Sequence, residues 1–321
     1  MGIVMQLIIL IVGTFIMGRI GQKLGFAEVV GQLIAGIILG PALLNLVTTG
    51  EVISSLSELG VLLLMFTAGL ETDIGQLRRN LTGATLTAVM GMVVPLLLFT
   101  LVALLLGYQF DIAIFWGIVF AATSISITIS VLGESGQLGS QVGAVVLGAA
   151  VLDDMLALLL VGAYVLIFGG EGLSISTLLP IVVFIIGLIV NRLANSGKIL
   201  IFSNLLGVWF FFPIFFGSIG LNISLNGLQD TWLLILVLTV LAVATKYYGA
   251  QWGARLAKLE KTAARAIGAG MVSRGEMALV VAQIGLSANL IAKDIFGDMV
   301  IVIIVSTIIA PLILRPLLKK I

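Results

Sequence analysis

A chain of 321 residues that is 60% hydrophobic and only 10% charged, with a mean hydropathy of +1.28, is no ordinary soluble domain, where about a quarter of residues carry charge. The composition is that of an all-α polytopic membrane protein. Cysteine and histidine are both absent, which removes disulfides, thiol chemistry, Cys/His zinc sites and serine–histidine catalysis, and a net charge of +1 carries no signature of nucleic-acid binding.

Hydropathy predicts about 11 transmembrane helices, at 2–18, 28–48, 55–70, 81–107, 112–133, 142–168, 175–192, 199–222, 231–254, 266–289 and 297–316. The first has no basic residue ahead of it and no A-x-A cleavage pattern, so it reads as a helix of the mature protein and not a signal peptide. The loops are short, which leaves a single transmembrane domain over 1–321. With the loops alternated, 13 Lys and Arg, Arg78 and Arg79 among them, fall on one side and Lys293 alone on the other. That bias predicts the N-terminus outside and the C-terminus in the cytoplasm. Two cations remain inside spans: Lys246 and Arg274.

The segment LLLMFTAGLETDI (62–74) is echoed by FFFPIFFGSIGLNIS (210–224), with Gly69-Leu70 matching Gly220-Leu221 on spans that run in opposite directions. An inverted repeat follows, in which 55–70, 81–107, 112–133 and 142–168 correspond to 199–222, 231–254, 266–289 and 297–316, as in secondary transporters. The matched spans 112–133 and 266–289 both contain stretches that suit neither a clean helix nor lipid. In the first it is AATSISITISVLGE (121–134); in the second it is GAGMVSRGEMALVV (268–281), with three glycines, Arg274 and Glu276. Broken backbone persists at mid-membrane only where it is buried in protein or lines a cavity, so this pair marks the expected binding site.

The strongest chemical signal is GAAVLDDM (148–155), which sets Asp153 and Asp154 side by side near the middle of an apolar span. A carboxylate there costs on the order of 2.5–3.5 kcal/mol, so two of them need a partner, a cavity or a use. Neighbours about 100° apart on a helix face different surroundings: one can pair with a cation while the other faces a cavity. Lys246, in ATKYYG (244–249), is deep enough to pair with a carboxylate; snorkelling to the interface beside Tyr247 and Tyr248 is the alternative. Thr123 and Ser124 offer hydroxyl oxygens that suit a small hard cation, or else bond backbone and neighbouring helices. Arg274 and Glu276 are two residues apart and cannot face each other on a regular helix; they read as structural intramembrane charges, each paired elsewhere. The small residues Gly31, Ala35, Gly36 and Gly40 read as close helix packing.

In this order, VGQLIAGIILGP, LGVLLLMFTAGLETD, ATSISIT, GAAVLDD, the deep Lys246 and SRGEMAL resemble the bacterial sodium/proton antiporters of the second cation:proton antiporter branch, within the monovalent cation:proton antiporter superfamily. The resemblance implies crossed discontinuous helices in a core formed by 81–168 and 231–317, beside scaffold and dimer helices in 1–54 and 175–222, working as an elevator and as a homodimer in the bacterial inner membrane. By position, Asp154 matches the ion- and proton-carrying carboxylate, Asp153 the carboxylate paired with Lys246, and Thr123 and Ser124 the neighbours of the ion, which places Na+ at Asp154, Thr123 and Ser124. No cofactor is implied beyond the transported Na+ or Li+ and H+, exchanged at two protons per sodium in the service of pH homeostasis. Related potassium-efflux proteins typically carry a Gln-Asp pair and a cytoplasmic nucleotide-binding domain, whereas this sequence has Asp-Asp and runs to Ile321. Family members typically have thirteen spans, and the two absent here belong between 175–192 and 199–222, on the scaffold side. An uncoupled cation pore, a K+/H+ exchanger and an inactive shortened homologue stand as alternatives. Intramembrane aspartyl proteolysis, which needs two Asp on facing helices, does not fit.

Overall fold

The computed structural model describes residues 2–72, 80–124, 126–168, 175–193, 196–225 and 228–321; Arg78 and Arg79 lie outside them. The described residues form helices and their connections, with no strand among them. In chain order the helices are α1 (Ile3–Lys23), α2 (Glu28–Leu39), α3 (Glu51–Glu71), α4 (Leu81–Leu105), α5 (Phe110–Ala121), α6 (Ser126–Glu134), α7 (Gln141–Phe168), α8 (Ile175–Val190), α9 (Ser196–Leu206), α10 (Phe212–Leu221), α11 (Leu228–Leu256), α12 (Lys261–Gly270), α13 (Glu276–Ser287) and α14 (Lys293–Leu318). Seven stretches among the described residues are long and apolar enough to cross a bilayer, α9 and α10 counting as one, and four shorter apolar helices join them.

Each predicted span has its helix, and the boundaries move for identifiable reasons. The first helix runs on to Lys23, with Arg19 and Lys23 exposed and the Arg19 guanidinium 5.7 Å from the centre of the Phe15 ring; a left-handed Gly25 (φ +82°) follows its end. The second stops at Leu39, where Gly40-Pro41 disfavours further helix. The span expected at 199–222 carries a π-helical turn at Gly207–Phe211 between α9 and α10. Both spans expected to be interrupted are broken: α5 gives way to α6 after Ala121, and α12 to α13 between Gly270 and Glu276.

Contacts divide the chain into two compact units. The first comprises Met1–Thr72, Gly170–Gln229 and Lys293–Gly297; the second comprises Asp73–Gly169, Asp230–Ala292 and Asp298–Ile321. In the first, α2 packs between α1 and α10 and α3 lies along α8, around a core of Leu10, Val47, Ile53, Ile214 and Leu221. The small residues of α2 make that packing possible. A Cβ on Gly36 would enter the Gly217 carbonyl and stand 2.8 Å from the Gly220 Cα, so the two backbones touch. The buried polar groups here are neutral, such as Ser57 and Ser218, whose hydroxyls bond at 2.7 Å.

The second unit gathers α4, α7 and α11 around the interrupted helices. Helix α5 lies against α4 and α13, and α7 packs on α4 and α12. Helices α4 and α11 approach through Gly249 and Gly253, spaced four apart, with Ala250 and Ala254 wholly buried beside them. A Cβ on Gly253 would collide with the Leu86 carbonyl, and backbone cannot swing aside as a side chain can. Gly253→Ala is therefore expected to destabilise the protein by about 1–3 kcal/mol, read as a lowered melting temperature in detergent. Gly139→Ala, which adds its methyl to open space, should leave the melting temperature where it was.

Candidate functional site

Helix α7 places Asp153 twelve residues past Gln141, about 18 Å along the axis, which is mid-span for a helix of this length. Its carboxylate is fully buried and so is Lys246 on α11. The Lys246 Nζ stands 2.9 Å from Asp153 Oδ1, and it also donates to the Ala121 carbonyl at 2.5 Å. Ala121 is the last residue of α5, so the ammonium occupies a helix C-terminus, where carbonyls lack intrahelical partners and the dipole is negative. The snorkelling alternative is thereby excluded. One cation ties together α5, α7 and α11.

Asp154, one residue on, is only partly buried, as expected of a neighbour turned by about 100°. The charges of Asp153, Glu276 and Lys246 all act on it. The site thus sets Asp154 directly beside the buried Asp153–Lys246 pair.

The two interruptions meet. The Ser124 N–H donates to the Ser273 carbonyl at 2.9 Å, Ser273 Oγ donates back to the Ser124 carbonyl at 2.5 Å, and Thr128 Oγ1 donates to the Gly270 carbonyl at 2.6 Å. From α14, Thr307 gives its hydroxyl hydrogen to the Arg274 carbonyl. Unwound backbone that would be costly in hydrocarbon is answered by the opposite break and by hydroxyls. Ser124 Oγ also donates to Glu276 Oε2 at 2.8 Å, and Glu276 lies in the first turn of α13, where a carboxylate favours the helix dipole.

Arg274 is fully buried within the second break. One guanidinium nitrogen donates to the Ala242 carbonyl at 3.0 Å, and the group lies 5.9 Å from the centre of the Phe120 ring, a cation–π distance. Its Nε and Nη1 have no hydrogen-bond partner. Of the unpartnered buried side-chain oxygens among the described residues, two belong to this site: Asp153 Oδ2 and Thr123 Oγ1. Oxygen atoms withdrawn from water and left unshared suit a small hard cation, since each otherwise carries its full desolvation cost.

Of the residues singled out in the sequence, Asp153 and Lys246 are brought into contact, Asp154 adjoins them, and Ser124 joins Glu276 at the meeting of the breaks. Thr123 lies beside Ser124 with a free hydroxyl oxygen. Arg274 pairs with carbonyl and ring rather than with Glu276. Sequence reasoning did not pick out Thr128, Ser273, Thr307 or the Ala121 carbonyl. The first two stand inside the broken stretches and were visible there as hydroxyls; nothing in the sequence points to a backbone carbonyl.

The family described as the sodium/hydrogen exchanger, transmembrane, matches residues 7–194 and 156–320. The chain belongs to that family. It is therefore a multi-pass cation/proton exchanger, a secondary transporter and not an enzyme. Among its relatives are the Na(+)/H(+)-K(+) antiporter GerN of Bacillus cereus, 33% identical over 98% of this chain and 95% of GerN, and a Na(+)/H(+) antiporter of Enterococcus hirae, 32% identical over 98% of each. The structure of the sodium proton antiporter MjNhaP1 from Methanocaldococcus jannaschii superposes with a TM-score of 0.73, covering 98% of this chain and 97% of that one at 15% identity, which establishes the fold.

The alignment to GerN is 370 positions long yet uses 98% of a 321-residue chain, so GerN has roughly 55 residues with no counterpart here, enough for two spans of about 20 residues and their connections. The family's two matched stretches overlap at 156–194, next to the place where the sequence analysis sets the absent pair.

Removing one partner of a buried ion pair leaves the other charge uncompensated. Lys246→Ala is expected to cost about 3–5 kcal/mol, seen as a large drop in melting temperature in detergent, whereas the double substitution Asp153→Asn with Lys246→Met should recover much of the loss. An additive double mutant would mean that the two residues do not interact.

Proposed function

We propose that this exchanger moves Na+, and Li+ with it, against protons, and that Asp154 is the group on which cation and proton compete. The observation that carries the reading is the division of labour within the tandem: Asp153 is wholly buried and committed to Lys246, while Asp154 is partly accessible and flanked by like charge. A carboxylate that holds either a proton or a cation, but not both, couples opposing fluxes by mass action, provided the occupied site alternates between faces. Thr123 supplies an unshared oxygen beside it, and Ser124, whose hydrogen is given to Glu276, presents oxygen lone pairs. The cation travels with Asp154, Thr123 and Ser124 as its neighbours, and Asp153 with Lys246 sets the field in which it binds.

In this reading the second unit carries the ion and the first serves as the scaffold, the inverted repeat supplies the two half-related states, and the elevator displacement of the ion-carrying unit changes the exposed face. The positive bias of the loops puts the N-terminus outside a bacterial inner membrane and the C-terminus in the cytoplasm. A homodimer through the scaffold completes the reading. The name of GerN includes K+, which favours one variant of the same mechanism, K+ as a further cation at this site.

The test is exchange in proteoliposomes driven by a pH gradient, with Na+, Li+ and K+ titrated separately. Cation-dependent dissipation of the gradient, abolished by Asp154→Asn, is expected, with a half-saturating Na+ concentration that rises as the pH is lowered because protons compete for the carboxylate. Dissipation that survives Asp154→Asn removes Asp154 from the mechanism. Na+ flux without any counter-flow of protons makes the protein an uncoupled pore, and a folded protein that dissipates nothing makes it an inactive short form.

A further inference from the structure

Along the second unit, α11 and α14 leave between them a groove of about 910 Å³. Its walls are Leu236, Val240 and Val243 on one side and Val305, Ile309 and Ile313 on the other, each set spaced along one helical face. Pockets that enclose ligands span roughly 300–1,000 Å³, so this one can hold a long, narrow apolar molecule. Its depth in the membrane follows from aromatic residues on the same helix. Trp232 lines one end, Tyr247 and Tyr248 line the other, and Trp252 lies one turn further; Trp232, Tyr248 and Trp252 are all well exposed. Trp232 and Trp252 are twenty residues apart, about 30 Å, which matches the thickness of the hydrocarbon core, and Trp and Tyr gather at its two borders. The groove therefore runs within the acyl region.

Two exposed arginines stand at the tyrosine end. Arg255 stands seven residues past Tyr248 on the same face of α11. Gly268 of α12 packs against the Tyr247 carbonyl and the Gln251 side chain, which brings the exposed Arg265, about one turn earlier, close enough for its charge to reach the Tyr247 phenol. Arg265 has no carboxylate partner among the described residues, and Arg255 is engaged only with the Leu259 carbonyl, at 2.7 Å. The nearest acid in sequence, Glu260, accepts from Thr262. At the Trp232 end acidic residues predominate: Asp230 on α11, and Asp294 and Asp298 with Lys293 at the start of α14.

We propose that this groove is a binding site for an anionic phospholipid, with an acyl chain along α11 and α14 and the phosphate at Arg255 and Arg265. A zwitterionic lipid would fill the groove equally well but gains less from two guanidinium groups that have no carboxylate partner among the described residues. The site has a direct line to the buried charges. Val243 and Tyr247 face the lipid, while their neighbours Ala242 and Lys246 hold Arg274 and Asp153 on the other side of the same turn. An acyl chain packed there supports the helix turn that carries both contacts.

The experiment reads lipid retention rather than exchange, so it stands apart from the transport mechanism. Protein delipidated in detergent is titrated with phosphatidylglycerol or phosphatidylcholine of identical chains, and retained lipid is counted by native mass spectrometry alongside the melting temperature. At least a fivefold preference for phosphatidylglycerol is expected, with a higher melting temperature. The preference should vanish in Arg255→Gln with Arg265→Gln, whose side chains are exposed. Val240→Trp, at an exposed position on the groove wall, should lose both lipids by filling the space. If a variant does not fold, the unmodified protein decides: the preference should disappear at about 1 M salt, where charges are screened within about 3 Å. Equal retention of the two lipids, a preference that survives the arginine substitutions or salt, or efficient Val240→Cys cross-linking of two copies across the groove would each overturn the proposal.

Discussion

An ammonium group that has no water must be answered by the protein, and in this chain Lys246 makes that demand at mid-membrane. Its two partners come from different helices, the Asp153 carboxylate on α7 and the free carbonyl end of α5. Neither alone would suffice: a carboxylate neutralises the charge but uses one of three donors, and a helix end offers partial charge only. The arrangement therefore requires that α5 stop at Ala121, in the middle of what would otherwise be a continuous span. The broken helix is a condition of burying the lysine, as much as the lysine is a condition of tolerating the break.

The same logic extends through the second break. Opening α12–α13 between Gly270 and Glu276 frees backbone groups that hydrocarbon could not satisfy, and the α5–α6 break supplies the complement through Ser124 and Thr128. Once backbone is satisfied by backbone and hydroxyls, the side chains at the junction are released for other work. Asp153 Oδ2 and Thr123 Oγ1 remain unshared, and Asp154 keeps partial access. A site in which every oxygen was already bonded would hold the fold more tightly and would have nothing to offer a cation.

What could be read from the sequence follows the range of each physical signal. Hydropathy and charge bias act over whole spans, so the eleven spans and both interruptions were legible. Asp-Asp inside an apolar helix announces itself because its cost is local and large. The pairing of Asp153 with Lys246 was only a compatible option, since two charges 93 residues apart can meet or snorkel with the same sequence. For Glu276 the sequence reached a similar limit. Its spacing from Arg274 correctly excludes a pair between them, but does not point to Ser124, 152 residues away, whose hydroxyl donates to it. The role of the Ala121 carbonyl was beyond reach, because a backbone atom leaves no mark on composition. The π-helical turn at Gly207–Phe211 was equally hidden, as GVWFF is apolar in either helical form.

The polar side chains at mid-membrane are distributed unequally. Where α7 carries two adjacent carboxylates, the interior of α14 from Met299 onward carries none; its deep polar residues are Ser306 and Thr307. Thr307 is spent on the Arg274 carbonyl and Ser306 on the Ile303 carbonyl, both as donors. The two broken helices are therefore served in opposite ways. One is closed by a cation held against a carboxylate, and the other by a neutral hydroxyl with an arginine placed over an aromatic ring. A symmetric pair of carboxylate sites would need a second counter-cation and a second set of unshared oxygens, and the buried groups of α14 provide neither. The chemistry of the two breaks is thus one-sided: the charged pair stands at the end of α5, and hydroxyl and aromatic contacts serve the break between α12 and α13.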